Sequence, residues 1–322
     1  MLENSDGKRI HKGARTVLDI YELKTFLNAA ETENFSEAAR QLNLTQPAVS
    51  MQIRAMEKRL GIRLFHRAGR TLTLTEQGKA FIPMARDIVQ RAIQVEEEIE
   101  TLKGEVVGQL RIGCSTTTGK YYLPRLVARF QRQYPRVQVI IRTQSRQVVT
   151  SELCEGLLHL AVFSAYPTCA DVEHRHFFDD HVVLVVSSKH PWAKLDVINP
   201  QDLRNANFIM RNQKSGTREA LELALHQAGV MMDDLNVVME IGNSEAISMA
   251  VEENIGAAFI SRTVARQGIE LGKLKEIHVT GLSLSREIFI SYSHRHPATS
   301  AQTEFWNFVQ TPEVEAMLKS AA

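Results

Sequence analysis

Residues 36–60, SEAARQLNLTQPAVSMQIRAMEKRL, decide the fold of the amino-terminal part of the chain. Their pattern predicts two short helices joined by a tight turn. Ser36 is placed to cap the first helix and Thr45 the second, while Pro47 lies in a first turn, where a missing amide proton costs little. Gly61 follows the last apolar residue, as is typical just past a helix C-terminus. The layout is that of a helix-turn-helix, although an ordinary helical hairpin would give the same local pattern.

The second of these helices is amphipathic. One face carries apolar side chains at helical spacing and is expected to pack inward. The residues on this face are Val49, Ile53, Met56 and Leu60. The opposite face stays outside and carries Gln46, Ala48, Ser50, Gln52 and Arg54.

Positive charge is concentrated on this module. Between residues 40 and 79 the chain has eight basic residues against two acidic ones, while its overall net charge is only +1. Such an excess is the electrostatic footprint of a phosphate-binding surface. Two short alternating runs around Ala68 and Gly69 predict a hairpin wing, whose Arg67 and Arg70 are placed to reach a DNA backbone or minor groove.

These residues resemble the amino-terminal signature of the LysR-type transcriptional regulators. The matching positions are Leu23, Phe26, Phe35, Ser36, Ala38, Ala39, Leu42, Thr45, Gln46, Pro47, Ala48, Val49, Ser50, Ile53, Glu57, Leu60, Gly61, Leu64, Phe65, Arg67, Leu74, Thr75 and Gly78. The resemblance implies that the start of the second helix enters the major groove of double-stranded DNA. The residues then expected to bind DNA are Ser36, Thr45, Gln46, Pro47, Ser50, Gln52, Arg54, Arg67 and Arg70. Met51 departs from the family, in which several members carry arginine, so no particular base preference carries over.

The length of 322 residues and the apolar fraction of 44% predict two or three domains with substantial cores. Residues 1–17 are polar and basic and have no apolar core of a secretory signal, so we expect a disordered arm on a cytoplasmic protein. Residues 18–75 are assigned to a winged helix-turn-helix domain. No apolar run is long enough to span a membrane.

A long helix is expected over residues 76–104. Its apolar positions step by three and four residues, which is typical of a helix that pairs with a second copy. These positions are Phe81, Met84, Ile88, Ala92, Val95, Ile99 and Leu102. We therefore expect a dimerising linker helix; the alternative is a helix packed on its own chain.

From Gly108 onward the hydrophobic period changes to alternating strands and helices, which predicts an α/β domain with mostly parallel sheets over residues 105–322. Strands are expected near 110–114, 137–142, 158–163, 182–187, 208–210, 237–241, 257–260 and 288–292. Helices are expected near 121–133, 147–156, 217–228, 244–253 and 300–310. The family resemblance implies two lobes like those of periplasmic binding proteins, with an effector bound between them. Lobe 1 is then about 108–178 and 283–322, and lobe 2 about 179–282.

Two strand-to-helix turns carry small hydroxyl residues that suit an anionic ligand, because helix N-termini present free amides. Arg218 is expected to add a bidentate contact to a carboxylate or phosphate. The candidate effector-binding residues are Ser115, Thr116, Thr117, Thr118, Gln144, Ser145, Ser215, Gly216, Thr217, Arg218 and Asn243. The alternative is that Ser115 and Thr217 merely cap helices.

The three cysteines, Cys114, Cys154 and Cys169, have spacings that fit neither a zinc site nor a disulfide framework, so reduced thiols are expected. The histidine pairs 174/176 and 294/296 have no paired Cys, Asp or Glu at a convincing metal-ligand spacing. Neither a GxSxG nor a GxxxxGK[ST] motif occurs. We therefore expect no metal, no cofactor and no enzymatic activity.

The resulting prediction is a homodimer or homotetramer that binds an imperfect palindromic operator, responds to a small, anionic effector and has RNA polymerase as a further partner. The rival interpretation is an enzyme or solute-binding protein of the same two-lobed fold, fused to a DNA-binding module.

Overall fold

The computed structural model describes residues 18–68, 71–164, 167, 169–213 and 215–321. Its helices are α1 (Ile20–Thr32), α2 (Phe35–Gln41), α3 (Gln46–Leu60), α4 (Glu76–Leu102), α5 (Leu123–Gln133), α6 (Arg146–Cys154), α7 (Gly216–Gln227), α8 (Ser244–Glu252), α9 (Arg262–Glu270), α10 (Ser300–Phe308) and α11 (Pro312–Ala321). Its strands are β1 (Phe65–Ala68), β2 (Thr71–Leu74), β3 (Gly108–Cys114), β4 (Val137–Thr143), β5 (Leu160–Phe163), β6 (Val172–Ser187), β7 (Val197–Ile198), β8 (Asn207–Arg211), β9 (Asn236–Ile241), β10 (Ala258–Ser261), β11 (Leu274–Val279) and β12 (Leu284–Ser293). The chain divides into two compact units at Glu96 and Glu97.

The amino-terminal unit is a three-helix domain with a wing. Helices α1, α2 and α3 share a core to which the start of α4 also contributes, and β1 pairs antiparallel with β2. Thr45 caps α3 by accepting from the amide of Ala48, Pro47 lies in the first turn, and Gly61 ends the helix in the left-handed conformation. These features confirm the predicted limits of the second helix.

The predicted cap of the first helix is wrong by two residues. Asn34, not Ser36, caps α2, because its Oδ1 accepts from the amides of Ser36 and Glu37 at 2.9 and 3.2 Å. Since α2 begins at Phe35, Ser36 lies inside its first turn with its side chain exposed.

Helix α4 is continuous over 27 residues in spite of Pro83. Phe81, Ala85 and Val89 are buried in the amino-terminal core. Five apolar side chains of the predicted seam stay exposed, namely Met84, Ile88, Val95, Ile99 and Leu102. The helix therefore presents an apolar stripe that the described residues of this chain leave uncovered.

The carboxy-terminal unit has two lobes, each with its own core. The first core packs α5, α10 and α11 on β3–β5, and the second is divided between the two faces of a sheet that includes β6, β10 and β11. The 16-residue strand β6 and the strand β12 pair with each other along ten residues and pass from one lobe to the other. The fold is the predicted two-lobed α/β architecture, which places a cleft where the lobes meet.

The sheet is mixed rather than mostly parallel. In the eight-stranded sheet the pairs β3–β4, β3–β5 and β7–β11 are parallel, whereas β12 is antiparallel to β5 and β6, and β6 is antiparallel to β10 and β11. The parallel pair β8–β9 forms a separate two-stranded sheet. The prediction of mostly parallel sheets failed because the strand expected near 182–187 is only the end of β6. The first half of β6 is too polar to be recognised as a strand from its sequence. Strands β7 and β11 and helices α9 and α11 were also missed.

Cys154 and Cys169 form a disulfide, with Cα atoms 5.9 Å apart. The prediction of reduced thiols is therefore wrong for this pair, because the chain after β5 returns to the end of α6, which spacing alone does not reveal. Cys114 is a free, buried thiol, and burial raises its pKa to about 12. Within the described ranges, every helix is too short or too polar to cross a bilayer.

Candidate DNA-binding surface and effector cleft

The exposed face of α3 lies in the amino-terminal unit. Gln46, Pro47 and Arg54 are exposed there, and Ser50 is half-buried. Gln52 is also half-buried, and its Oε1 accepts a hydrogen bond from Thr25 Oγ1 at 2.7 Å. Gln52 therefore holds α3 against α1, a structural role that the sequence did not indicate.

The remaining predicted DNA-binding residues are placed as follows. Ser36 is exposed on α2, and the exposed Thr45 is occupied as the cap of α3. The backbone of Arg67 belongs to β1 of the wing. The side chain of Arg67 and the whole of Arg70 lie outside the described residues.

Ion pairs reduce the charge that this surface has available. Arg40 makes a bidentate pair with Glu37 at 2.6 and 2.9 Å, and Arg59 pairs with Glu22 of α1. Lys79 pairs with Glu76 at 2.8 Å. In contrast, no ion pair within the described part of the chain involves Arg54, Lys58 or Arg63. These three cations lie near the end of α3 and are not neutralised by an ion pair among the described residues.

The cleft of the carboxy-terminal unit has a volume of about 450 Å³. Seven of the eleven predicted effector-binding residues line it, namely Ser115, Thr116, Thr117, Gln144, Ser145, Ser215 and Gly216. They come from the ends of β3 and β4 and from the starts of α6 and α7. The turns expected to share a site are thus brought to one cavity.

Several of these residues also cap helices, so the two interpretations are compatible. Ser145 Oγ accepts from the amide of Val148 at 3.5 Å, and Ser215 Oγ accepts from the amide of Arg218 at 3.2 Å. Ser115 Oγ lies 3.0 Å from Thr118 Oγ1. A hydroxyl that has used one lone pair on an amide still has a donor for a ligand.

Four predicted residues do not line the cleft. Thr118 and Thr217 are buried, and Asn243 caps α8 by accepting from the amide of Ala246 at 2.9 Å. The guanidinium of Arg218 donates to the carbonyl of Arg211 and to Glu240, at 3.0 and 2.8 Å. Because Arg218 is held in this ion pair, the structure gives no support to its predicted contact with an anion.

The arginines that do line the cleft are Arg146, Arg211 and Arg286. None of the lining residues carries a carboxylate. Arg146 of α6 makes a bidentate pair with Glu219 of α7, at 2.8 and 2.7 Å. Arg211 and Arg286 were not among the residues predicted from the sequence. Arg211 ends the apolar strand β8, and a basic residue at the end of a buried strand was a signal that could have been used.

Arg286 is neutralised inside the protein. Its Nε donates to Asp180 at 2.8 Å, and its Nη1 donates to Thr217 Oγ1 at 2.8 Å. Asp180 is 1% exposed and also accepts from Ser261 Oγ at 2.5 Å. Asp180 thus compensates one of the guanidinium charges in the cleft.

Arg211 has no ion pair within the described ranges, and the negative charge that acts on it is that of Glu245. Its Nη1 donates to Ser244, while its Nε is buried without a hydrogen-bond partner among the described residues. Burial lowers the pKa of Arg211 and the nearby positive charge of Arg286 lowers it further, while the negative charge of Glu245 partly opposes both effects. A partly desolvated cation that makes no ion pair is costly, and Arg211 is such a cation in the wall of the cleft.

Known protein families match both parts of the chain. Residues 20–79 match the family model of the bacterial regulatory helix-turn-helix proteins of the lysR family, and residues 103–312 match that of the LysR substrate binding domain. The HTH-type transcriptional activator CmpR of Synechocystis is 35% identical over 274 residues, which is 85% of this chain and 88% of that protein.

Two solved structures share the fold. A full-length OxyR variant from Pseudomonas aeruginosa is 20% identical, with a TM-score of 0.71 over 93% of this chain and 97% of its own. The CcmR regulatory domain of Synechocystis, solved in complex with 2-PG, is 24% identical, with a TM-score of 0.58 over 66% of this chain and 98% of its own. With a helix-turn-helix, a two-lobed effector domain and matches that span most of its length, the chain belongs to the LysR family of DNA-binding transcriptional regulators.

Proposed function

We propose that this protein is a cytoplasmic, sequence-specific transcriptional regulator whose DNA binding is controlled by a small anionic effector in the cleft between its lobes. The observation that carries the ligand class is the charge of the cleft. Three arginines line it, no carboxylate does, and the charge of Arg211 is compensated by no ion pair within the described ranges. The complex of CcmR with 2-PG supports a small-molecule ligand at a domain of this fold.

The anion is expected to bind at Arg211, with hydroxyls and amides from the surrounding turns. Ser115, Thr116 and Ser215 offer donors, and the starts of α6 and α7 add partial positive charge. A carboxylate or phosphate would supply the acceptors that the guanidinium of Arg211 lacks. Neutral analogues of the same size leave Arg211 without an ion pair and should bind far more weakly.

A thermal-shift screen of the full chain against small carboxylates, phosphates and their neutral amides or alcohols tests the proposal. Stabilisation by an anion but not by its neutral analogue is expected, because a ligand that binds the folded state raises the melting temperature. Arg211→Gln should abolish this shift, whereas Arg218→Gln, whose guanidinium faces Glu240, should retain it. Equal shifts in wild type and Arg211→Gln would overturn the assignment.

The DNA-binding part of the proposal rests on α3 and on the cations near its end. We place Gln46, Pro47 and Ser50 at base edges and Arg54, Lys58 and Arg63 at phosphates. The exposed stripe of α4 pairs with a second copy, which sets two α3 helices on the half-sites of an imperfect palindrome. The proposed domains are 18–75, 76–104 and 105–322, in a homodimer or homotetramer with RNA polymerase as a further partner.

An enzyme with the same two lobes is the competing function. The cleft offers hydroxyls and guanidinium groups but no histidine and no carboxylate among its lining residues. Histidine and carboxylates are common general bases, and the one thiol among the lining residues, Cys114, has a pKa raised to about 12 by burial. We therefore propose ligand binding without turnover, which an assay of ligand integrity after prolonged incubation with the protein would test.

A further inference from the structure

A second cluster of polar side chains lies outside the cleft, on the strands that join the lobes. Atoms of His176, Asp179 and Glu287 that can bind a metal all lie within 4.8 Å of one another. His176 and Asp179 belong to β6, and Glu287 belongs to β12. All three side chains are exposed. Each therefore stays accessible to an ion from solvent.

An irregularity in the β6–β12 pair creates this cluster. Ile288 pairs with Phe178 and Phe289 pairs with His176, so that Phe177 is an extra residue in β6. In a regular strand, residues three apart point to opposite faces. The extra residue restores His176 to the face that carries Asp179, as is typical of a β-bulge.

Asp179 and Glu287 are directly opposite each other in the register of the two strands. Like charges directly opposite on one face of a sheet destabilise the pair. His176 Nε2 lies 2.9 Å from Asp179 Oδ1, so a protonated imidazole could offset one carboxylate. One imidazole cannot offset both carboxylates. In the described part of the chain no ion pair involves Glu287. The cluster thus carries a net negative charge that a cation would relieve.

We propose that His176, Asp179 and Glu287 bind a divalent transition-metal ion on the outer face of the strands that connect the two lobes. One imidazole and two carboxylates suit zinc and its first-row neighbours, whereas Mg²⁺ and Ca²⁺ prefer oxygen ligands alone. A tetrahedral ion with bonds of about 2.1 Å needs ligand atoms about 3.4 Å apart. The ligand atoms now lie within 4.8 Å of one another. Because the three side chains are exposed, their rotation can bring these atoms to the required spacing without movement of the strands.

The site leaves coordination positions for water. His176 and Asp179 also line a cavity of about 430 Å³, whose wall includes Trp306. With three protein ligands and an open side, the ion would be exchangeable, unlike the four-ligand arrangement of structural zinc.

Because of the position of the site, a bound ion would act on the two strands that join the lobes. Asp180 and Arg286, the next residues along the same two strands, are paired with each other, and Arg286 lines the effector cleft. The ion would link β6 and β12 at the level where both pass between the lobes. The metal site does not depend on the identity of the cleft ligand.

The proposal is tested on tag-free, full-length protein that has been stripped of metal by chelation. Zn²⁺ is titrated by calorimetry, and Co²⁺ by visible absorption, which reports imidazole and carboxylate ligation through its ligand-field bands. We expect one ion per chain. His176→Asn, Asp179→Asn and Glu287→Gln should each weaken binding by at least about tenfold. The matched control His226→Asn, an exposed histidine on α7, should leave the affinity unchanged.

Thermal melting of the same proteins distinguishes lost ligation from lost folding. Without metal, Glu287→Gln should melt at or above the wild-type temperature, because it removes the repulsion with Asp179. Zn²⁺ should raise the melting temperature of wild type and of His226→Asn but not of the three site variants. Absence of one-to-one binding to wild type, or equal binding to all variants, overturns the proposal.

Discussion

Arg286 and Asp180 form a buried ion pair between β12 and β6, the two strands that join the lobes. Asp180→Asn should lower the free energy of unfolding of the effector domain by about 3 kcal/mol, because it leaves a buried guanidinium uncompensated. Both tryptophans, Trp192 and Trp306, lie in the carboxy-terminal unit, so urea unfolding followed by tryptophan fluorescence reports on this domain.

The matched control for this pair is Asp196→Asn. Asp196 pairs with Lys275 at 2.9 Å, but its side chain is 87% exposed. Surface pairs of this kind contribute little, so a change within about 0.5 kcal/mol is expected. Similar losses of unfolding free energy from both variants would show that the buried pair contributes no more to stability than the exposed pair.

Glu97 near the end of α4 gives a prediction about pH. Its side chain is buried, its Oε2 has no hydrogen-bond partner in the described ranges, and burial raises its pKa above the ordinary value of 4.5. The folded state then holds a proton that the unfolded state has released, so stability falls as the pH rises from 4.5 through the folded pKa.

Glu97→Gln should remove this loss and raise the free energy of unfolding at about pH 8 by roughly 1 kcal/mol, with a smaller effect near the ordinary pKa of 4.5. Urea unfolding at the two pH values measures the difference. Glu96→Gln, at an exposed neighbour, serves as the control. A variant with the same pH dependence as wild type would show that Glu97 is not the group responsible.

These cases show what the sequence could and could not predict. Thr45, Pro47 and Gly61 are local signals, and each fixed an end of α3 correctly. The turns at Ser115 and Ser215 were found because a hydroxyl after a strand marks a helix start. The roles of Arg211 and Arg286 depend on whether a carboxylate from a distant strand reaches them. Asp180 contacts Arg286, and Arg218 contacts Glu240, only in the folded chain. Neither contact could therefore be predicted from the sequence.

The exposed stripe of α4 predicts where the chain dimerises. Val95→Asp and Ile99→Asp should each shift the protein toward the monomer, because a charge in a coiled-coil seam is desolvated. Ile93, which is 37% exposed on the same helix but outside the predicted seam, provides the control Ile93→Asp. Sedimentation velocity across a concentration series distinguishes them. Dissociation by Ile93→Asp alone would place the interface on another face.

The DNA-binding surface predicts two kinds of variant. Gln46→Ala should reduce discrimination between operator and unrelated DNA, since this exposed side chain at the start of α3 is placed at base edges. Lys58→Ala should instead weaken binding to all sequences and reduce the slope of log affinity against log salt by about one.

Arg40→Ala tests whether ion pairing matters on this surface. Its guanidinium is already engaged by Glu37, so it should change the salt slope less than Lys58→Ala does. Fluorescence anisotropy with operator and scrambled duplexes at several salt concentrations measures both quantities. An equal change from the two variants would contradict the proposed role of the cations near the end of α3.

The disulfide between Cys154 and Cys169 closes a loop with a sequence separation of 15 residues. Closing a loop of this size removes chain entropy from the unfolded state and stabilises the folded state by about 3 kcal/mol. A reductant should therefore lower the urea midpoint of the wild-type effector domain but leave that of a Cys154→Ser, Cys169→Ser double variant unchanged.

Cys114→Ser is the control, since its buried thiol, with a pKa of about 12, takes no part in the bond. Mass spectrometry under non-reducing conditions verifies the bond before each measurement. If the wild-type midpoint is the same with and without reductant, the disulfide does not constrain the unfolded chain as proposed.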